Sequence, residues 1–127
     1  MNNAYFVSYQ GIPQANTVKQ TQNNMLGNFQ TNQFGDHYLY LINGDLFDAE
    51  GSQSIFSYNY GHLFNTDSLY IFAGTDSGLL PKWIKSISIP EGSRYLFVEL
   101  PEVIQLLDLK SISDVPEFDL CTPEEVL

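Results

Sequence analysis

The chain has 127 residues, of which 43% are hydrophobic, enough to build the core of one ordinary globular domain. Fifteen acidic residues against five basic ones give a net charge of −10, so phosphate backbones and anionic membrane surfaces repel the chain on average. We therefore expect no nucleic-acid partner and no membrane partner, and no apolar run approaches the roughly 20 residues that span a bilayer.

The cysteine and histidine content restricts the disulfides and the metal sites that the chain can form. Cys121 is the only cysteine, which excludes an intrachain disulfide and predicts a reducing, cytoplasmic setting. One thiol with two distant histidines, His37 and His62, does not make a tetrahedral metal site. We expect no metal, and we expect each histidine at a strand end or in a loop.

The N-terminal half predicts a small antiparallel β region. Residues 1–36 are rich in Asn and Gln, and we expect residues 10–33 to be the least ordered part of the chain because they offer few apolar anchors. An Asn-Gly pair between two apolar runs is a strong hairpin signal. Strands are predicted at 5–9, 38–42, 45–48 and 54–58, with the hairpin turn at Asn43-Gly44 and a second turn at 49–51.

The second half predicts a β-α-β unit of a Rossmann-like parallel sheet over residues 68 to about 109. Residues 69–73 form a continuous apolar run, as in a strand buried on both faces, and a second such run covers 95–98 and ends at Glu99. Between them, over 79–87, apolar residues recur at spacings of three and four, which predicts an amphipathic helix lying on the sheet. Two parallel strands joined by that helix are the simplest arrangement.

More α/β elements follow this unit. A helix is predicted from near Pro101, a third strand over 118–121, and a last helix after Thr122, whose capping hydroxyl is followed by Pro123 and then by Glu125 three residues after the cap. A helix of about five residues is not stable in isolation. We therefore expect the chain to be a truncated piece of a longer protein.

These patterns predict an α+β fold in two parts. Residues 1–66 would form the antiparallel β-hairpin region with a polar stretch at its start, and residues 67–127 the first β-α-β-α-β elements of an incomplete Rossmann-like domain. Because three strands leave one side of the ligand crevice of a doubly wound sheet unbuilt, we expect no catalytic turnover from this chain alone. The catalytic residues are unknown.

The candidate ligand site lies where the two parallel strands end. In such sheets a glycine-rich turn at the carboxyl end of a strand lets the backbone approach the ligand. An acidic residue ending the next strand accepts hydrogen bonds from ribose hydroxyls, and Glu99 follows Gly74 at a separation close to the usual spacing of about 20 residues. The candidate ligand-binding residues are Gly74, Thr75, Asp76, Ser77, Gly78 and Glu99.

The composition of this turn restricts the ligand. Gly74 to Gly78 does not read Gly-x-Gly-x-x-Gly, and Asp76 places negative charge where a pyrophosphate would meet a helix N-terminus. A nucleoside without phosphate at that point, such as S-adenosylmethionine, or a nucleotide with its phosphates elsewhere, fits better. The alternative is a turn with a structural role only, in which Asp76 or Ser77 caps the helix.

Four segments carry a family resemblance: the hairpin region 37–48, the pair Ser57-Tyr58, the strand and turn 69–82, and the segment 95–103. In order and pattern, residues 37–107 resemble the N-terminal part of the motility-associated-factor glycosyltransferases, whose central Rossmann-like domain is related to the MptE-like hydroxymethylpterin diphosphokinases. In that family the turn usually reads Gly-x-Gly-x-Gly, and here Asp76 replaces the central glycine.

The resemblance implies a parent protein that transfers a nonulosonic-type sugar from its nucleotide-activated form to flagellin, or that acts in a related surface-glycan pathway. It implies a nucleotide-sugar or nucleoside ligand at the glycine turn and Glu99, and a protein acceptor such as flagellin. Two other functions stay open. One is an S-adenosylmethionine-dependent methyltransferase, which shares the strand, glycine turn, strand and acidic end, and the other is a non-catalytic acidic interaction module.

Overall fold

The computed structural model describes residues 3–7, 29–39 and 47–126. Residues 47–50 form one turn of helix ahead of the first longer helix. None of the helices in these ranges is long and apolar enough to cross a membrane. In chain order the elements are β1 (Asn3–Val7), β2 (Phe29–Thr31), β3 (His37–Leu39), α1 (Ser52–Tyr60), β4 (Ser68–Ala73), α2 (Leu79–Ser86), β5 (Arg94–Val98), α3 (Pro101–Leu107), a 3-10 helix (Leu109–Asp114), β6 (Phe118–Cys121) and α4 (Pro123–Val126).

A parallel four-stranded sheet of order β1-β4-β5-β6 forms the centre of the fold. The predicted parallel pairing of 69–73 with 95–99 across a helix is confirmed, with Tyr70 opposite Tyr95. The third predicted strand is confirmed as β6, which lies parallel to β5. The sheet also includes β1, parallel to β4, and so takes strands from both sides of the predicted boundary between residues 66 and 67.

One face of the sheet carries an aromatic core. Rings on neighbouring strands stack with centroid distances of 5.6 Å for Tyr70 and Tyr95 and 5.4 Å for Phe72 and Phe97. Helices α1 and α2 both cover this core. This is the arrangement expected when successive crossovers are right-handed and advance in the same direction along the sheet. The helix residues that pack into it are Ile55, Phe56, Tyr60, Leu80, Trp83 and Ile84.

The opposite face of β4 and β5 is less enclosed than the sequence predicts. The apolar runs suggest strands buried on both faces, but the alternate residues are only half-buried and belong to neither buried apolar cluster of the described residues. These residues are Leu69, Ile71, Leu96 and Val98.

The hairpin of the N-terminal half lies earlier in the chain than predicted. An antiparallel pair is present, but it joins β2 to β3, with Gln30 opposite Tyr38. The predicted turn at Asn43-Gly44 lies outside the described residues, as do residues 10–28 of the stretch expected to be least ordered. Residues 47 and 48, predicted as the returning strand, are helical because Gly51 N–H donates to the Phe47 carbonyl at 2.9 Å.

The predicted strand at 54–58 is wrong, because these residues lie in α1. The buried positions of the helix are Ser52, Ile55, Phe56 and Tyr60, a spacing of three and four that belongs to a helix face. The rings of Phe56 and Tyr60 lie 5.8 Å and 6.5 Å from the ring of Trp83 on α2. Packing against α2 thus overrides the β propensity of these β-branched and aromatic residues.

Candidate functional site

The turn between β4 and α2 contains three consecutive residues in the left-handed region. The φ angles are 50° at Asp76, 58° at Ser77 and 81° at Gly78, and Gly74 has a φ of 102°. Left-handed conformation is costly for residues with a Cβ, and such residues cluster at functional sites. The turn therefore depends on contacts from the rest of the fold.

Glu99 supplies the first of these contacts from the end of β5. Its Oε2 accepts hydrogen bonds from Thr75 N–H at 2.9 Å and from Thr75 Oγ1 at 2.7 Å, and its Oε1 accepts one from Leu100 N–H at 2.9 Å. Thr75 is fully buried and Glu99 is 8% exposed. The sequence places both residues at one edge of the sheet, and the structure brings them into direct contact. The protein itself uses three of the roughly four lone-pair positions of this carboxylate.

Two further hydrogen bonds fix the turn. Thr75 Oγ1 accepts one from Gly78 N–H at 3.0 Å, and Ser77 Oγ accepts one from Leu39 N–H at 3.0 Å. The second bond ties the turn to the end of β3, a contact for which no sequence pattern gives a signal. The N-cap of α2 is Gly78, which has no side chain that could cap the helix.

The space beside the two glycines of the turn differs. A Cβ added to Gly78 would lie 3.0 Å from Leu109 Cδ2, whereas no atom of the described residues lies within 4 Å of the equivalent position at Gly74. As far as the described residues go, the backbone is therefore open at Gly74, directly after the carboxyl end of β4. This is the kind of opening that lets a ligand approach the main chain of a strand-to-helix turn.

Two clefts flank α2. The first, of about 340 Å³, lies between α2 and the 3-10 helix, and we call it the Lys85 cleft; its lining includes Gly78, Lys82, Lys85, Asp108 and Ser111. The second, of about 410 Å³, lies between α2, the β2–β3 turn and the start of α1, and we call it the Phe34 cleft; its lining includes Phe34, Asp36, Glu50, Ser52, Lys82 and Trp83. Lys82 lines both clefts.

Asp36 connects the β2–β3 turn to the first turn of α1. Its Oδ2 accepts hydrogen bonds from Ser52 N–H at 2.7 Å and Asn32 Nδ2 at 3.0 Å, and its Oδ1 accepts one from Ser52 Oγ at 2.6 Å. Burial raises the pKa of Asp36, but these hydrogen bonds and the charge of Lys82 outweigh burial, so the pKa lies below its usual value. Asp36 thus supplies the acceptor that Gly51, the N-cap of α1, cannot provide.

The histidines have no arrangement for catalysis. His37 begins β3, as expected of a strand-end residue, where its ring stacks on Phe29 at 4.5 Å and its Nδ1 lies 3.0 Å from Thr31 Oγ1. His62 is exposed in the turn after α1. Within the described ranges no three His, Cys, Asp or Glu residues are grouped so as to hold a metal ion.

Tyr60 and Asp76 lie close enough to influence each other. Burial raises the pKa of Tyr60, and the negative charge of Asp76 raises it further. Tyr60 is 4% exposed, so core packing accounts for it, whereas Tyr58 on the same helix is 89% exposed.

Comparison with models of known protein families, with characterised proteins and with solved structures finds no match to this chain. What the chain can bind therefore has to follow from the geometry of its own turn and clefts.

Proposed function

We propose that this chain is the ligand-binding N-terminal part of a glycosyltransferase of the motility-associated-factor type, acting in flagellin or surface-glycan glycosylation. Its ligand would be a nucleotide sugar bound at the carboxyl end of β4. The observation that supports this most is the open backbone at Gly74 beside a turn that Glu99 holds in place. Ligands of parallel α/β sheets bind at that edge.

The nucleoside would lie against the turn. Gly74 offers close approach to the main chain, and Glu99 keeps one acceptor position for a ribose hydroxyl beyond the three that Thr75 and Leu100 occupy. The strained turn would be preorganised for this contact, because its geometry is fixed by hydrogen bonds within the protein.

The phosphates would lie in the Lys85 cleft. Asp76 disfavours an anion at the turn itself, whereas Lys82 and Lys85 line a cleft that begins at Gly78. In the part of the chain that the structure describes, the one salt bridge joins Arg94 to Asp119, so neither lysine is neutralised by an ion pair. Asp108 also lines this cleft, but the two lysines outnumber it, so the cleft favours an anion in a chain of net charge −10.

Nuclear magnetic resonance titration of the labelled chain with uridine and cytidine nucleotide sugars tests this proposal. We expect shifts centred on residues 74–78 and Glu99. Lys85→Met should weaken nucleotide-sugar binding about fivefold, because it removes one solvent-exposed ion pair between the lysine and a phosphate. Binding of the corresponding nucleoside should stay unchanged. Lys110→Met removes a lysine outside the cleft and is the matched control.

Several outcomes would contradict the proposal. Shifts confined to other regions would exclude the site, and equal effects of Lys85→Met and Lys110→Met would exclude the phosphate position. Shifts at 74–78 with S-adenosylmethionine but not with nucleotide sugars would favour the methyltransferase alternative. Measurable transfer activity by this chain alone would show that it is more than a binding part.

A non-catalytic acidic interaction module is the second candidate. The internal use of the Glu99 carboxylate favours it, because three of the acceptor positions that a ligand would need are already occupied. The absence of any shift at the turn with nucleotides, nucleosides and S-adenosylmethionine would support this alternative.

A further inference from the structure

The Phe34 cleft contains charges of both signs that do not pair with one another. Asp36, Glu50 and Lys82 all line it, yet among the described residues no ion pair within 4.0 Å involves any of them. Asp36 is already engaged by Ser52 and Asn32. Among the described residues, the carboxylate of Glu50 and the ammonium group of Lys82 therefore both line this cleft without a close ion pair, although the charge of Lys82 also acts on Asp36.

An exposed aromatic ring lies at the rim of this cleft. Phe34 is 51% exposed, and its ring lies so close over Gly51 that a Cβ there would come within 2.7 Å of Phe34 Cγ. Gly51 also has a φ of 82°, so both its conformation and its neighbour require glycine. The ring thus packs on Gly51 while about half of the side chain remains available for an apolar contact.

We infer that the Phe34 cleft binds a small zwitterion with an apolar side chain, of the free amino-acid class. The ligand carboxylate would pair with Lys82, its ammonium group with Glu50, and its side chain would pack on the ring of Phe34. A volume of about 410 Å³ is at the small end of ligand pockets, which span roughly 300 to 1,000 Å³. This inference shares Lys82 with the proposed function, but Phe34 and Glu50 line only the Phe34 cleft and Lys85 lines only the Lys85 cleft, so the two proposals can be tested separately.

Titration of the whole chain with L-phenylalanine tests this inference. We expect saturable chemical shifts at Phe34, Glu50 and Lys82. Phenethylamine lacks the carboxylate and 3-phenylpropionate lacks the ammonium group, so each should bind about tenfold more weakly than the amino acid.

Variants of α2 then locate the carboxylate. Lys82→Met should weaken L-phenylalanine binding about tenfold, whereas Lys85→Met, on the same helix but lining only the other cleft, should leave it unchanged. Both lysines are exposed, so neither variant should disturb the fold. Equal effects of the two substitutions would overturn the inference. So would equal affinity for phenethylamine, or the absence of saturable shifts with L-phenylalanine at about 10 mM, beyond the range of weak specific binding.

Discussion

At the scale of single residues, the contact between Thr75 and Glu99 decides the geometry of the candidate site. The carboxylate of Glu99 holds a strained turn from the adjacent strand, through a buried hydroxyl and a backbone N–H. Hydrogen bonds to charged groups are the stronger ones, at about 1.5 to 3 kcal/mol each. The residues expected to contact a ligand are therefore also residues on which the turn depends for its stability.

Thr75→Val should lower the free energy of unfolding by about 2 to 3 kcal/mol, because it removes one hydrogen bond to a carboxylate and the acceptor of Gly78 N–H without changing side-chain volume. Urea denaturation measures this loss. Thr66→Val changes an exposed threonine and should stay within about 0.5 kcal/mol of the parent chain. A similar small loss at Thr75 would mean that its hydroxyl contributes nothing to the turn.

Asp36 makes stability depend on pH in the acid range. The pKa of Asp36 in the folded chain lies below the unfolded value of about 3.9. Its contribution to the free energy of unfolding is therefore fully present above that value and is lost as the pH falls through the folded pKa. Asp36→Asn should therefore destabilise the chain at pH 7 and reduce the further loss on acidification. The measurement is the urea midpoint at neutral and at acid pH.

The exposed residue Asp114 provides the control for this titration. Asp114→Asn should keep the acid dependence of the parent chain. If Asp36→Asn lost stability as steeply as the parent chain below pH 4, the hydrogen bonds from Ser52 would not be the cause of the dependence.

At the scale of elements, the sequence predicted the second half well and the first half poorly. The signals for β4, α2 and β5 lie within each element: continuous apolar runs for the strands, an amphipathic spacing for the helix, and a glycine turn that joins β4 to α2. The helix start at Thr122 was equally local, and Thr122 N–H donates to the Glu125 carboxylate at 2.8 Å, which is one half of the predicted capping box. The other half is absent, because the Thr122 hydroxyl donates to the same carboxylate and Glu125 N–H bonds to the Thr122 carbonyl.

Helix α1 was predicted as a strand because Ile55, Phe56 and Tyr58 have high β propensity. The signal that could have corrected this was the spacing of Ile55, Phe56 and Tyr60, with Tyr58 on the exposed side. The contact of Ser77 with Leu39 and that of Asp36 with Ser52 could not be found by any local pattern, since each joins residues far apart in sequence.

The packing of α1 on α2 gives a prediction at this scale. Trp83 is 8% exposed and contacts the rings of Phe56, Tyr60 and Phe64. Trp83→Ala should cost about 3 to 5 kcal/mol of unfolding free energy, through lost burial and the cavity it leaves. Differential scanning calorimetry or urea denaturation would measure it.

Tyr58→Ala is the matched aromatic control. Tyr58 is 89% exposed on α1, so its removal should change stability by no more than about 0.5 kcal/mol. A large loss at Tyr58 together with a small one at Trp83 would contradict the helical face assigned to α1.

At the scale of the whole molecule, the strands of the sheet differ in how far along the chain their partners lie. Leu69 pairs with Arg94 and Tyr95 with Phe118, so β4, β5 and β6 join through short crossovers. Asn3 pairs with Ser68, which lies on the far side of the hairpin and α1. β1 and β6 are both edge strands of the same sheet, but they are reached by loops of very different length.

This difference implies an order of assembly. Closing a longer loop costs more entropy, so β4, β5 and β6 should join before β1 docks, and β1 should be the first strand to detach in the native state. Native-state hydrogen exchange would measure this, with lower opening free energies expected for amides that bond β1 to β4 than for those that bond β6 to β5. Since both are edge strands, equal protection would mean that the sheet opens and closes as a single cooperative unit.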